Sequence, residues 1–458
     1  MRRFLLTTAA VLGAAMALSG VANAQEGMPP PPAGIPGPSF GVGGASPPDA
    51  AIMAMAPGMT APNSFVVHLN GRINFYAGVV GSSAQSVDGG KVDPYGFQGY
   101  LRLYPGFNAT AANGLKYGVV AEIRAPAGVT SARGGDFAGT SVIGAGPNGG
   151  ANTLYWRRAY GYVGTDEIGT LRFGQGDGPT TIFQTGTFEG FNDGAWNGDA
   201  PGFAPSVTAP NYPWTDTGTL YTTNKIVYLS PDFGGFQFGI GFTPNTNQLT
   251  NGAGCGTAAG GTCFNQSASP LLGGSDRPRN AIEAGGAYTG KFNGFGVNVG
   301  GAYIGSSHVS APGLQYNGYS VGSLGATVSF AGFTVGGNLS YGEQNFDYAL
   351  QPRGGRDEFA WMAGAQYGAG PFVVGASYFH TQYSGEWAVD PAVVARTASD
   401  NGIAAGGTYQ LVPGMALYLS YLYGQRHQIG WDFNAGAPGP GGNNTHVNVF
   451  SLGTVMSW

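Results

Sequence analysis

The sequence predicts an all-β protein, a transmembrane antiparallel β-barrel of about 16 strands. Three observations predict it. Apolar residues alternate with small or polar residues in one stretch after another, as in "GGFQFGIGF". The connections between these stretches alternate strictly between short and long. The last stretch is an amphipathic strand that runs to the final residue.

The N-terminal part of the chain is predicted to lie outside the barrel. It opens with Arg2 and Arg3, followed by an apolar stretch that closes on the small-x-small site Ala-Asn-Ala. This pattern predicts a secretory signal peptide over residues 1–24. Residues 25–63 are rich in Pro, Gly and Ala and are predicted to form a flexible leader, because they cannot bury enough apolar surface to fold. The barrel is therefore expected over residues 64–458.

The composition favours a membrane barrel over a disordered chain or a large soluble helical protein. Only 9% of the residues are charged and 13% are aromatic, against about 25% charged in a typical globular domain. No stretch after the signal peptide reaches the roughly 18 apolar residues of a membrane helix. Removing Arg2 and Arg3 from the 19 basic residues leaves 17 against 24 acidic ones, a balance that disfavours nucleic acid as a partner.

Turn residues between the alternating stretches define the predicted strand boundaries. Short connections such as "GKFNG" and "LVPG" contain Gly or Pro, which favour tight turns. Long strands in even number, with short periplasmic turns and long extracellular loops, are typical of an outer-membrane barrel, and closure is required because lipid cannot satisfy an open sheet edge. The predicted strands are 65–78, 95–107, 115–125, 153–164, 169–176, 220–230, 235–244, 279–290, 294–305, 320–331, 332–343, 358–369, 371–383, 401–412, 413–427 and 446–458.

The terminal strand "THVNVFSLGTVMSW" places Phe450, Leu452, Met456 and Trp458 on one face. We expect it to pair with the first predicted strand and so close the barrel. We also expect this apolar face to be the assembly signal that a barrel-assembly machinery reads.

Two further patterns bear on chemistry. Cys255 and Cys263 enclose a short loop in "CGTAAGGTC", and export to an oxidising compartment predicts a disulfide between them. The five histidines are scattered without metal-ligand spacing. The sequence therefore predicts no metal, no cofactor and no enzymatic activity, with a barrel hydrolase carrying Ser, His and acid on its rim as the alternative.

Three stretches resemble the bacterial general porins, the family of non-specific diffusion channels. They are "RRAYGYVGTDEIGTLRFGQGDGP", "KIVYLSPDFGGFQFGIGF" and the terminal "VFSLGTVMSW". The chain differs from the family in ending with Trp458 rather than Phe, in having Thr454 at an apolar position, and in lacking a Pro-Glu-Phe-Gly-Gly stretch in the third loop. The resemblance implies an outer-membrane homotrimer for passive diffusion of small hydrophilic solutes and ions. It also implies that the third loop, 177–219, folds into the barrel as a constriction.

A basic wall is predicted inside the barrel. An Arg facing lipid costs about 2–4 kcal/mol at the bilayer midplane, so the arginines of the early strands are expected to face the lumen. They are Arg72, Arg102, Arg124 and Arg172, which alternate with apolar neighbours. Arg157 or Arg158 is expected to join them, but alternation does not decide which. The alternative is that these arginines solvate the wall or pair with Glu122.

Acidic residues are predicted to face this wall from the third loop. Every charged residue between Arg172 and Lys225 is acidic, and the porin resemblance implies that Glu189, Asp193 and Asp199 cross the lumen. Facing charges make a transverse field across a narrow slot, and the net negative charge favours a mild cation preference. The alternative is an ordinary solvated loop.

Two other functions stay open. A substrate-specific channel of the sugar type would use an inward aromatic track, and Tyr100, Tyr104 and Tyr418 face inward by alternation. A surface adhesin or soluble secreted β protein would also alternate, but it explains neither the loop lengths nor the aromatic terminus. The expected surroundings are outer-membrane lipid.

Overall fold

Sixteen antiparallel strands close into a barrel in the computed structural model, which describes residues 62–84, 86–87, 90–126, 154–192, 194–214, 223–244, 278–311, 314–345, 350–385 and 396–458. The strands are β1 (Ser64–Ser82), β2 (Tyr95–Thr110), β3 (Lys116–Pro126), β4 (Tyr155–Thr165), β5 (Gly169–Gln175), β6 (Asn224–Leu229), β7 (Phe236–Thr243), β8 (Arg279–Phe292), β9 (Phe295–Ser307), β10 (Ser320–Phe330), β11 (Phe333–Glu343), β12 (Glu358–Ala369), β13 (Phe372–Tyr383), β14 (Ala398–Val412), β15 (Met415–Gln428) and β16 (Asn444–Ser457). Each strand pairs with its neighbours in the chain, and β1 pairs with β16. The predicted fold class is confirmed, and the strand boundaries differ from the predicted ones by a few residues.

Local sequence explains the tight hairpins. Asn293 and Gly294 join β8 to β9 with φ angles of 49° and 85°, and Ala331 and Gly332 join β10 to β11 with 49° and 85°. Positive φ at both central residues matches the twist of the flanking strands, as in type I′ hairpin turns. We call the end of the barrel with these turns the turn end and the opposite end the loop end. Among the described residues, no helix has the length and apolar character needed to cross a membrane.

The seam between the first and last strands closes at the turn end. Register runs from Arg72 opposite Ser457 to Ser82 opposite Val447. Beyond it, Gly71 N donates to Trp458 O at 3.2 Å and Trp458 N donates to Gly71 O at 3.1 Å. The indole of Trp458 covers Gly71, where a Cβ would clash with the ring. The terminal strand therefore pairs with the first strand, as expected.

The wall of the barrel is uneven in height. β5 has 7 residues and β7 has 8, whereas β14, β15 and β16 have 15, 14 and 14. We call β5–β7 the short wall and β13–β16 the tall wall. In the part of the chain that the structure describes, three short hairpins stand outside the barrel sheet: Ser86–Val87 with Gly90–Lys91, Val309–Ala311 with Leu314–Tyr316, and Trp431–Asp432 with Ala437–Pro438.

The connection after β5, the third loop, packs inside the barrel. Its described residues form one helix, α1 (Pro179–Ile182), and two 3-10 turns (Ala195–Asn197 and Ala200–Phe203). Its aromatic residues form an apolar core with inward-facing residues of the strands; the larger members are Phe188, Phe191, Trp196, Tyr212, Trp214, Met362, Phe379 and Leu422. Inward-facing glycines allow this close approach: a Cβ on Gly364 would lie 2.5 Å from Phe188, and one on Gly402 would lie 2.6 Å from Trp196.

Candidate pore constriction

Three arginines lie side by side on the inner face of β1, β2 and β3. Arg72 is paired directly with Arg102, and Arg102 is paired directly with Arg124. Directly paired side chains have Cβ atoms about 5 Å apart, so like charges here repel each other. Arg72 and Arg102 are buried and Arg124 is mostly buried. Such a row requires counter-charges, and two carboxylates supply them.

Glu122 is the first of these carboxylates. Its Oε1 lies 2.6 Å from Nε of Arg124, and its Oε2 pairs with Arg158 and lies 3.4 Å from Nη1 of Arg157. Arg158 also pairs with Asp177 of the third loop at 2.7 Å. The alternative in which the arginines pair with Glu122 thus holds for Arg124.

A β-bulge brings both Arg157 and Arg158 inside. Glu122 is paired with Arg158 but Ile123 is paired with Trp156, so Arg157 is the extra residue on β4. Both arginines are buried, and Trp156 is exposed on the outer face. Strict alternation allows only one of two consecutive residues to face inward, which is why the sequence left the choice open.

Asp199 is the second counter-charge and holds the tip of the third loop against the arginine row. Its Oδ1 lies 2.5 Å from Nη2 of Arg102, and its Oδ2 accepts a hydrogen bond from Asn74 Nδ2 at 2.9 Å. Its backbone oxygen accepts a hydrogen bond from Gln98 Nε2 at 2.5 Å. Asp199 also interacts electrostatically with Arg72.

Glu189 does not lie against the arginine row. Its Oε1 accepts a hydrogen bond from the hydroxyl of Tyr212 at 2.8 Å, and its Oε2 accepts one from Asn197 Nδ2 at 3.2 Å. Burial raises the pKa of Glu189 to about 7, although both hydrogen bonds act in the opposite direction. The structure therefore brings Asp199, and not Glu189, to the arginines. Asp193, Cys255 and Cys263 lie outside the described residues.

Two further carboxylates, which the sequence patterns did not indicate, anchor the third loop. Glu283 of β8 accepts a hydrogen bond from the backbone N of Thr180 at 3.1 Å and lies 3.5 Å from Nζ of Lys225. Asp400 of β14 accepts a hydrogen bond from the backbone N of Asn211 at 2.8 Å and lies 3.3 Å from Nε of Arg426. Their positions could have indicated them, because alternation places each acidic side chain on the inner face of a strand whose outer face contacts lipid.

The other arginine and the tyrosines that were predicted to face the lumen do so. Arg172 lies over the ring of Tyr160, 5.2 Å from its centroid. Tyr104 and Tyr418 are buried, and Tyr418 stacks on Tyr76 with the centroids 6.1 Å apart. Tyr100 is the third tyrosine that alternation predicts to face inward, and its ring centroid lies 6.0 Å from the guanidinium carbon of Arg102. Within the described ranges, no group of His, Cys, Asp or Glu side chains could hold a metal ion.

Comparison with known proteins agrees with this architecture. The anion-selective porin from Comamonas acidovorans is similar in fold, with 18% identity and a TM-score of 0.52 over 86% of this chain and 100% of that one. A loop L8 deletion mutant of OmpT, an outer membrane protein of Vibrio cholerae, has 12% identity and a TM-score of 0.51 over 86% and 100%. No curated protein matches the chain.

The sequence profile described as Gram-negative porin matches residues 7–427. This match spans most of the chain and confirms the resemblance seen in its motifs. The closed barrel places it among proteins that cross the outer membrane many times with strands. The chain belongs to the Gram-negative porin family and forms an outer-membrane channel.

Proposed function

We propose that this porin passes small hydrophilic solutes by diffusion, acts without catalysis, and prefers anions to cations. The observation that supports the preference is the balance of inward charge on β1–β6. Among the described residues, seven inward basic side chains of β1–β6 stand against four carboxylates that contact them, one on β3, two in the third loop and one on β8. The basic ones are Arg72, Arg102, Arg124, Arg157, Arg158, Arg172 and Lys225, and the carboxylates are Glu122, Asp177, Asp199 and Glu283.

This preference is opposite to the one that net charge and loop composition predict. Asp199 and Asp177 are both paired with arginines. Glu189 is held among Tyr212 and Asn197, with a pKa near neutrality. The third-loop carboxylates that the structure describes therefore leave the positive charge of the wall in excess. The tall wall contributes little, because Arg426 is balanced by Asp400.

Reversal potentials across a planar bilayer test this proposal. We expect the double variant Arg72→Gln/Arg124→Gln to shift the reversal potential toward cations, because it removes two positive charges from the wall. The matched control is Lys116→Gln, which removes an exposed charge at the turn end that pairs with Asp166. An unchanged potential in the double variant would refute the proposed constriction.

We also propose that three chains associate through the short wall. A strand of 7 residues, tilted as in other barrels, rises roughly 18 Å, less than the roughly 25 Å apolar band of an outer-membrane barrel. The height of the short wall is therefore smaller than the thickness of the lipid layer that it would face. The short wall exposes large apolar side chains, among them Phe173, Ile226, Ile240 and Phe242. Neighbouring subunits would cover them.

Native mass spectrometry in mild detergent tests the association. We expect three chains in the wild type and single chains in Phe173→Asp/Phe242→Asp. The control, Phe372→Asp on the tall wall, changes an equally exposed aromatic residue and should keep three chains. Single chains in the wild type would count against the homotrimer.

We propose in addition that residues 1–24 are removed on export and that residues 25–63 remain as a flexible leader. The basic pair, apolar stretch and small-x-small site support the cleavage. The intact mass of the purified protein tests it, and a mass that includes residues 1–24 would refute it. We also propose a Cys255–Cys263 disulfide. The intact mass, measured after alkylation without and with prior reduction, tests whether the two thiols are free.

A second candidate, a sugar-selective channel, requires accessible aromatic rings in the lumen. Tyr76 and Tyr418 stack but are buried, with Tyr100 and Phe203 packed against them, and Tyr104 is also buried, so the inward tyrosines favour the general diffusion pore. Sugar rings bind on aromatic faces, so maltose-type oligosaccharides would block the ion current. If added sugar leaves the current unchanged, the general diffusion pore stands and the sugar channel does not.

A further inference from the structure

One side of β1 lacks a neighbouring strand at the turn end. Pairing between β1 and β2 starts at Ser64 opposite Thr110, whereas pairing between β1 and β16 starts only at Gly71 opposite Trp458. Among the described residues, no strand pairs with residues 65–70 on the side away from β2. We call this side of residues 65–70 the β1 edge. This part of β1 extends past the end of β16 at the turn end.

Backbone hydrogen-bonding groups line the β1 edge. Residues of an antiparallel strand alternate between bonding to the neighbour on one side and to the neighbour on the other. Gly71 exchanges two backbone hydrogen bonds with Trp458 on the side of β16. Every second residue continues this direction, because the β1–β2 register runs without a bulge. The N–H and C=O groups of three residues therefore point out of the β1 edge: Phe65, Val67 and Leu69.

The side chains next to this edge on the outer face are apolar. Phe65, Val67 and Leu69 are 72%, 71% and 60% exposed. An unpaired apolar edge strand is a template for pairing with another segment, and folded proteins generally cover such an edge. A strand added here would form hydrogen bonds with these three residues and cover part of their apolar face.

The chain reverses its direction immediately before β1. Pro62 and Asn63 form a turn, and Asn63 has a φ angle of 60°. Pro at the second position and Asn with positive φ at the third are the signature of a type II β-turn. Residues that precede Pro62 are thereby directed back along β1. Since β2 occupies one side of β1, the side open to them is the β1 edge.

We propose that residues 56–61, which lie outside the described residues, pair with the β1 edge as an added antiparallel strand. A two-residue turn at Pro62 and Asn63 fixes the register of this pairing. The pairs that exchange hydrogen bonds are then Thr60 with Phe65, Gly58 with Val67, and Ala56 with Leu69.

The sequence of the segment suits this register. Pro57 falls opposite His68, where the N–H of the added strand points away from β1, so the donor that proline lacks is not needed. Gly58 and Ala56 are small, so the large side chains of the outer face can lie across them. The added strand ends near Ala56, because Trp458 already occupies the position opposite Gly71. Residues 25–55 then make up the flexible part of the leader.

A disulfide between introduced cysteines tests the register. In the test variant, Met59→Cys/Val66→Cys, the two residues are directly opposed without exchanging hydrogen bonds, and their Cα atoms would lie about 4.5 Å apart, within the disulfide range. The control, Thr60→Cys/Val67→Cys, has the same separation along the chain but is out of register by two residues. Under mild oxidation we expect the test pair to link within one chain at least about fivefold faster than the control pair. Mass spectrometry of linked peptides identifies the bond.

Hydrogen exchange of the full chain gives an independent test. We expect slow exchange at the backbone amides of Phe65, Val67 and Leu69 in the wild type. The variant Gly58→Pro/Thr60→Pro removes two N–H donors that face β1 and should make these amides exchange fast. Met59→Pro is the matched control, because the N–H of this residue points away from β1 in the proposed register.

Each alternative occupant of the edge has its own result. Equal linking of the two cysteine pairs would show that the segment is not paired in this register and would overturn the proposal. Disulfides between two chains would assign the β1 edge to a second copy. Slow edge amides in the proline double variant would assign it to a different partner. If neither cysteine variant folds, the exchange rates of the wild type decide, and fast exchange at all three amides refutes the pairing.

Discussion

The carboxylate of Asp199 lies 2.5 Å from the guanidinium of Arg102, so an ion pair joins the tip of the third loop to the opposite wall of the channel. Asn74 and Gln98 hold the same aspartate from β1 and β2. Glu283 and Asp400 bind the backbone N–H groups of Thr180 and Asn211 in the same loop. The described part of the loop is thus tied to several strands of the barrel and lines the lumen.

Replacing Asp199 with Asn should increase the anion preference. The change removes one negative charge from beside Arg102 and so increases the net positive charge of the lumen wall, which attracts anions. Reversal potentials at low salt measure this effect. The control Asp166→Asn alters an exposed carboxylate at the turn end and should have no effect. A shift toward cations in the Asp199 variant would contradict an anion preference set by the arginine row.

Channel noise should depend on pH through Glu189. Burial raises the pKa of Glu189 from 4.5 to about 7. The packing of the third loop around the neutral carboxyl is therefore fully stable below about pH 4.5, and this stability is lost as pH rises through about 7. Above that pH the buried charge loosens the loop, and single-channel current fluctuations should increase. Glu189→Gln should remove this dependence between pH 5 and 8. If the variant keeps the pH dependence of the wild type, another group is responsible.

Adding a methyl group at Gly325 should displace the third loop. A Cβ there would clash with the backbone oxygen of Thr185, which cannot move away as a flexible side chain could. We expect Gly325→Ala to reduce conductance and to lower the free energy of unfolding by about 1–3 kcal/mol, the range for overpacking. Gly322→Ala on the same strand meets open space and is the matched control. Equal conductance in both variants would show that the loop does not depend on this contact.

The terminal strand should be required for assembly. Deleting Trp458 removes its contact with Gly71, and changing both Phe450 and Trp458 to Ser also removes the outward aromatic ring of Phe450 on β16. We expect the variant chains to remain unfolded in the periplasm and to be degraded. Quantifying the heat-modifiable band in outer-membrane fractions measures this. Normal levels of that band would rule out the role.

Alternation in the sequence was sufficient to predict the barrel and the inward direction of Arg72, Arg102 and Arg124, because an arginine has no low-energy place on the lipid face. It could not place Arg157 and Arg158, since a bulge breaks the period of two. It could not separate Glu189 from Asp199 either. Their different environments come from contacts with residues far along the chain, such as Arg102 with Asp199, and loop composition carries no such information.

The most direct test of the basic constriction is the sign of the wild-type reversal potential in a tenfold KCl gradient, repeated at decreasing ionic strength. We expect a potential on the anion-selective side that grows as salt falls, because fixed charges in the slot are less screened at low salt. A cation-selective potential, or one that does not vary with salt, would contradict it.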